Sequence, residues 1–507
     1  MNSLLDRLAL HARQRPHDVA VRDDQRDLSY SELWQWVTEL ASALTLRGAG
    51  RVGLMGDNTL AWVAADLACR LARIPCVPIP VFFSAQQREH LKTSAGLDVL
   101  LCDQPEALRQ QGVAPEALDH AVWMGRLVPP QAPAAINKLP DDLAKVTFTS
   151  GSTGTPKGVC LTHRHLDNTV AALAERLASV ALSRHLCVLP LATLLENVAG
   201  VYLPLWLGAS VTVRRLQTLG FSGSSGLDMD QFLATLGAEQ PDSLILVPEI
   251  AHQLVAAVGR GAECPASLTF VAVGGGKVSV DVLLMAHRLG LPFYEGYGLS
   301  ECGSVVALNT PDDNRPGAAG RPLSHINVTV SGEGELLVTG NTFAGYLGEP
   351  SRPDSTLATG DLGHLSKDGY LFVDGRRKNL LITRFGRNIN PEWLESELRL
   401  APGLLQSVVI GDNQVYPSAL VMPTKTADIP ALVAFVRTLN QRLPDYARLQ
   451  TLHVSATAMT PANGMLTANG RLNRHEISRQ LEHWLGQCEP WSVMDAAPVS
   501  PDVANLA

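Results

Sequence analysis

Through the first three-quarters of the chain, short apolar runs alternate with longer segments whose apolar residues recur at helical spacing. Arg51–Met55 and Cys76–Ile79 read as strands, with Leu60–Leu71 between them as a helix. Ser29 and Glu32 have the spacing of a capping box and predict a helix running to about Leu46. Further strands are predicted at Leu186–Leu189, Ser210–Val213, Ser243–Val247 and Leu268–Val273. Strand and helix in alternation imply an α/β fold whose sheets are mostly parallel and covered by helices. From about Val330 the pattern changes to short alternating strands with glycine turns, SGEGELLVTG and then GHLSKDGYLFVDG. After Gly375 a smaller unit of strands and helices begins, and the stretch after Cys488 reads as a disordered tail. The expected division is therefore 1–374, 375–487 and 488–507.

Size and charge narrow the function. A chain of 507 residues is too long for one ordinary core. Its formal charge of −8 offers no basic face for nucleic acid. The eight cysteines are scattered, with no CxxC pair and no Cys/His cluster at metal-ligand spacing, so they read as reduced, buried thiols. Met1–Pro16 interleaves Leu with Arg, Asp, His and Gln, an amphipathic helix and not a signal peptide. The most apolar stretch, Leu186–Val213, is interrupted by Pro190, Glu196, Asn197 and Pro204 and cannot supply a membrane span. No transmembrane segment is expected, and the protein reads as cytoplasmic.

Two segments are loop-like. Ser222–Gly226 (SGSSG) reads as a surface connection. Thr149–Gly158 (TSGSTGTPKG) follows a β-like run, Ala144–Phe148, and carries three glycines, several hydroxyls and one lysine. Such a loop can turn backbone N–H groups and hydroxyls toward phosphate oxygens while Lys157 adds positive charge. It is not a Walker A loop, because Gly158 stands where Ser or Thr is required. Composition alone leaves a generic flexible loop open.

The string Thr149-Ser150-Gly151-Ser152-Thr153-Gly154-Thr155-Pro156-Lys157-Gly158 closely resembles the phosphate loop of the acyl-adenylate-forming superfamily: acyl-CoA synthetases, peptide-synthetase adenylation domains and luciferases. Other motifs of that superfamily follow in order. Tyr294–Glu301 (YEGYGLSE) is similar to its aromatic–Gly–hydroxyl–Glu segment, with Ser300 where Thr is more usual. Gly274-Gly275-Gly276 resembles its adenine-lining glycines, Thr359-Gly360-Asp361 its ribose-binding TGD, and Asp374–Lys378 its domain junction. Thr383–Glu395 (TRFGRNINPEWLE) looks like the segment lining its acceptor tunnel. Taken singly, a glycine triplet or a TGD string is more often an ordinary turn. In this order they imply a large N-terminal domain of layered αβ sheets with a β-barrel-like part, and a small mobile C-terminal domain.

The resemblance also implies roles. ATP and Mg²⁺ are the expected cofactors, with Glu301 as the metal ligand and Lys157, Ser300 and Arg471 as catalytic partners. Nucleotide would be held by Thr149, Ser150, Gly151, Ser152, Thr153, Gly154, Gly274, Gly275, Glu295, Gly296, Tyr297, Asp361 and Arg376. Tyr297 would stack on adenine, and a carboxylate such as Asp361 can accept from both hydroxyls of a ribose. Lys378 would be the hinge, and Thr193, Val247 and Gly276 would line the acyl pocket. Two departures stand out. Arg471 replaces the usual lysine of the last motif, and no lysine occurs in the last eighty residues. Thr193 follows Leu189-Pro190-Leu191-Ala192, where an aromatic or His is common in fatty acyl-CoA synthetases. The implied reaction is activation of a fatty or otherwise hydrophobic carboxylic acid as its acyl-adenylate, then transfer to CoA or a carrier thiol. Transfer to an amine or amino acid is the alternative, and a non-catalytic nucleotide- and acid-binding protein is the reading from another class.

Overall fold

The apolar runs of the first part assemble into two large sheets in the computed structural model, which describes residues 3–127, 140, 142–149, 156–222, 226–350, 355–467 and 470–494. One sheet has eight strands, with Cys76–Ile79, Val52–Met55 and Val99–Cys102 parallel near its middle and antiparallel hairpins at its ends. The other has nine, and six of them run parallel in the spatial order Phe293–Tyr297, Phe270–Val273, Ser243–Leu246, Arg184–Cys187, Ser210–Val213, Val19–Arg22. The helices Tyr30–Leu46, Leu60–Leu71 and His163–Arg176 share one apolar core with strands of both sheets. They are the layer between.

The capping box at Ser29 and Glu32 forms as expected, each partner satisfying an N–H that the first helical turn leaves over. Leu60–Leu71 also has its predicted bounds and is buried on every side from Leu60 to Arg70. Two charges are therefore carried into the interior, and both are paired. Asp66 meets Lys145 at 2.7 Å and accepts from Asn197 at 2.9 Å, while Arg70 meets Asp167 at 2.8 Å. An unpaired charge there would be strongly destabilising, so these contacts fix which faces of helix and sheet can meet.

Four expectations are corrected. The strand placed at Leu186–Leu189 is Arg184–Cys187; its start is masked by a buried His185, whose Nδ1 lies 3.0 Å from Ser243 Oγ. Leu268 precedes its strand, which is Phe270–Val273. The barrel-like part is, among the described residues, a four-stranded sheet of Ile326–Val330, Glu335–Gly340, Leu357–Leu365 and Leu371–Arg376, with a first and a last strand. The tail does not begin at Cys488: Glu489–Ser492 pairs antiparallel with Thr451–Val454. Within SGSSG, Gly223–Ser225 lie outside the described residues, and the flanking Phe221–Ser222 and Gly226–Leu227 pair as a hairpin.

By its contacts the chain divides into two units, Met1–Thr359 with Gly363–Val373, and Gly360–Leu362 with Asp374–Ala507. The second unit has its own core around Leu394, Val421 and Val436, on a four-stranded sheet of Leu404–Ile410, Ser418–Pro423, Thr451–Val454 and Glu489–Ser492. Among the described residues no helix is long and apolar enough to cross a membrane.

Candidate active site

Arg184–Cys187, Ser243–Leu246, Phe270–Val273 and Phe293–Tyr297 are parallel neighbours, so their C-terminal ends open on one edge of the sheet. From the first of them the chain goes to Ser210–Val213 on one side, then returns to Ser243–Leu246 on the other. Such a reversal leaves a crevice beyond the strand ends, which is where open α/β sheets bind ligands. The residues singled out from sequence follow the first three strands in turn, Leu189–Thr193, Val247 and Gly274–Gly276, and run from the end of the fourth strand past it, Glu295–Glu301.

The segment expected to border the acid is built on buried polar contacts. Asn58 donates to Leu189 O at 2.9 Å and accepts from Leu191 N at 2.8 Å, and Glu196 Oε2 accepts from Leu189 N at 3.0 Å. Leu189–Leu191 is thus held on both edges although it belongs to no strand. Thr193 turns its hydroxyl back to Pro190 O at 2.7 Å. Glu196 opens a π-helical segment, Glu196–Tyr202, in which a Cβ on Gly200 would lie 2.2 Å from Glu196 Oε1; the glycine is what lets Glu196 and His185 meet. His185, Cys187 and Glu196 bring three metal-ligating atoms within 4.8 Å of one another. His185 Nδ1 and Nε2 and both Glu196 oxygens already have protein partners, so the cluster reads as a satisfied network. Val247 caps the helix Pro248–Gly259 directly after its strand. Gly275 has φ +85°, a left-handed conformation that only glycine adopts freely, and a Cβ on Gly274 would face Leu195.

The strands flanking the expected phosphate loop pair as a hairpin. Leu143–Thr149 and Lys157–Thr162 pair antiparallel with Thr149 opposite Lys157. Ser150, Gly151, Ser152, Thr153 and Gly154 lie outside the described residues. Lys157 sits over the Tyr346 ring, 4.8 Å from its centre, with Glu349 at 3.6 Å. Gly158 is a packing residue, since its missing Cβ would be 3.0 Å from Leu347 Cβ. Ser300 and Glu301 sit in a tight turn in which a Cβ on Gly298 would lie 1.7 Å from Ser304 O, and Ser304 itself has φ +107°. Strained backbone of this kind costs on the order of 1–3 kcal/mol and is found at functional sites. Glu301 Oε1 accepts from Tyr346 Oη at 2.9 Å. Gly296 and Tyr297 are half-buried on the last parallel strand, whereas Glu295 is buried and burial pushes its carboxyl up to about 7, Lys277 opposing.

In the second unit Asp361 is buried and meets Arg376 Nε at 3.0 Å. Lys378 lies in the turn Arg377–Asn379, its ammonium held below the usual lysine range by burial and by Arg376. Arg471 is exposed at the foot of a short loop, its carbonyl accepting from Thr467 N at 2.7 Å. Sequence reasoning did not single out Asn58, His185 and Tyr346, which touch the candidate segments and belong to no string that draws the eye.

Comparison with known proteins gives a family. The profile of AMP-binding enzymes matches residues 8–347, and that of the AMP-binding enzyme C-terminal domain matches 378–487. A 2-succinylbenzoate–CoA ligase of Staphylococcus aureus (strain MRSA252) is 27% identical, over 92% of this chain and 98% of its own length. The o-succinylbenzoate CoA synthetase of Bacillus subtilis superposes with a TM-score of 0.74 at 22% identity, over 93% of this chain and 97% of that one, in a complex with its acyl-adenylate. The same enzyme is also known in complex with ATP and magnesium. An anthranilate CoA ligase bound to anthranoyl-AMP superposes with a TM-score of 0.76 at 19% identity, over 94% and 96% of the two chains.

Proposed function

Because this chain belongs to the AMP-binding enzyme family, we propose that it is an ATP-dependent acid–thiol ligase that activates an aromatic carboxylic acid and transfers it to CoA. A carboxylate is a poor acyl donor because its leaving group would be oxide. Attack of its oxygen on the α-phosphorus of ATP breaks the α–β phosphoanhydride bond, releases pyrophosphate and leaves an acyl-adenylate. The thiol of CoA then adds to the acyl carbon, loses its proton, and AMP departs as a far better leaving group.

In this reading Lys157 and Ser300 meet the phosphates, and Val247, Gly276 and Thr193 border the acid. Phosphoryl chemistry of this type is mostly positioning and charge neutralisation. Glu301, a half-buried carboxylate with oxygen donors, suits a hard divalent cation shared with phosphate, and Mg²⁺ bound there would neutralise phosphate charge. The observation that carries the proposal is the gathering of Lys157, Tyr346 and Glu301 by direct contact in the unit whose parallel strands end in the glycine and acyl segments.

The relatives above are named for aryl acids and for CoA, which narrows the fatty or otherwise hydrophobic acid expected from sequence to an aromatic one and favours thiol over amine as acceptor. Acid-dependent exchange of pyrophosphate into ATP, run over substituted benzoates and fatty acids, tests the first step. Thiol consumption with CoA beside amide formation with amines tests the second. Exchange with fatty acids alone would return the acid to the fatty class, and exchange with no acid at all would leave a binding protein.

A further inference from the structure

We propose that Tyr346 is a positioning residue that sets the Glu301 carboxylate for the cation and gives the Lys157 ammonium an aromatic seat beside it. The proposal rests on the reading of Glu301 as a cation ligand. Tyr346 reaches both residues because of where its backbone lies. Gly345–Tyr346 pairs with the strand that carries Lys157, Tyr346 opposite Val159, and Leu347 N donates to Gly158 O at 2.7 Å. Three residues earlier, Phe343 N donates to Glu301 O at 2.7 Å. One short segment is therefore bonded to the phosphate hairpin and to the Ser300–Glu301 turn together.

The side chain repeats this bridge. Its hydroxyl donates to Glu301 Oε1 at 2.9 Å and its ring lies under Lys157 Nζ at 4.8 Å, with Phe343 packed edge-on at 4.8 Å between ring centres. A neutral donor on Oε1 fixes the carboxylate plane without cancelling its charge, and so leaves Oε2 to a cation. A ring face attracts an ammonium without neutralising it, so Lys157 stays available to phosphate. The carboxylate beside Lys157, Glu349 at 3.6 Å, is 42% exposed, so water screens its pull and the ammonium can still exchange it for phosphate.

The test separates hydroxyl from ring. Tyr346→Phe keeps the ring and its packing on Phe343 and removes only the bond to Glu301. With the unreactive α,β-methylene analogue of ATP, calorimetry with and without Mg²⁺ gives the factor by which the cation tightens nucleotide binding. That factor is expected to fall about tenfold in Tyr346→Phe and to vanish in Glu301→Gln, with affinity for AMP unchanged in both. In pyrophosphate exchange, half-saturating Mg²⁺ should rise about tenfold in Tyr346→Phe while the rate at saturating Mg²⁺ stays within a few-fold of wild type. A wild-type factor in Tyr346→Phe beside a lost one in Glu301→Gln overturns the role of Tyr346 alone. A wild-type factor in Glu301→Gln overturns the cation-ligand reading and this proposal with it. Loss of AMP affinity in Tyr346→Phe would show general damage to the site and equally overturn it.

Discussion

Asp361 sits buried against Arg376, 3.0 Å from its Nε, and a carboxylate can accept from both hydroxyls of a ribose. If it binds the ribose, Asp361→Ala should weaken AMP and ATP binding by ten- to a hundredfold, the range expected for losing charge-assisted hydrogen bonds. The fold should survive, since Arg376 is left partly in water. Calorimetry with AMP on a variant of unchanged circular dichroism is the measurement, and wild-type affinity would remove Asp361 from the site. Glu295 makes a different prediction. Its folded value of about 7 lies above the usual 4.5, so between those values the folded chain holds a proton the unfolded chain has lost. The stability this contributes is complete below about pH 4.5 and is lost as pH rises through 7, on the order of 3 kcal/mol. Glu295→Gln, neutral at every pH, should melt close to wild type at pH 5 and above it at pH 8. A melting difference that does not change with pH would mean Glu295 is not protonated in the folded state.

At the scale of elements, the acyl segment invites a direct test. Asn58 is 2% exposed and holds Leu189 and Leu191, so Asn58→Ala strands a buried carbonyl and a buried N–H. Each such group costs about 1–3 kcal/mol unless the segment moves to meet water. We expect KM for the acid to rise at least tenfold while KM for ATP changes little; equal changes in both would show that the segment does not line the acid pocket. This segment also marks the limit of what the sequence disclosed. Regular elements with clean apolar patterning, such as Leu60–Leu71 and Ser210–Val213, are found within the bounds predicted for them. Elements stabilised by buried polar pairs were displaced or missed, because a histidine such as His185 reads as surface until its partner Ser243, 58 positions away, is known. The π-helical turn at Glu196 rests on Gly200 making room for a side chain, and the terminal strand Glu489–Ser492 on pairing with Thr451–Val454. Neither has a periodic signature. Candidate site residues could be named where chemistry is written in contiguous strings, Thr149–Gly158 and Tyr294–Glu301, and not at Tyr346, whose place comes from pairing with the strand Lys157–Thr162 and from its bond to Glu301 in the turn Ser300–Cys302.

For the whole molecule the question is how one chain would perform the two proposed half-reactions. The two compact units meet in sequence near Asp374, and the turn Arg377–Asn379 that follows contains Lys378. No hydrogen bond from Lys378 N is formed among the described residues, so a proline there removes a donor that is not in use and acts by fixing φ near −65°. If the second unit must turn about this residue between activation and transfer, Lys378→Pro should leave acid-dependent pyrophosphate exchange within about threefold of wild type. It should slow CoA acylation from supplied acyl-adenylate by about tenfold or more. Arg471 makes the opposite prediction. Its guanidinium is charged at any working pH and can fork to a carboxylate and a phosphate together, which is the work of an activation residue. Arg471→Ala should slow exchange by roughly ten- to a thousandfold while transfer from supplied acyl-adenylate stays near wild type, and Arg471→Lys should keep exchange. The two variants therefore have crossed phenotypes, which a general loss of stability cannot produce. Equal losses in both half-reactions for Lys378→Pro would rule out a hinge at 378, and normal exchange in Arg471→Ala would leave that arginine no part in activation.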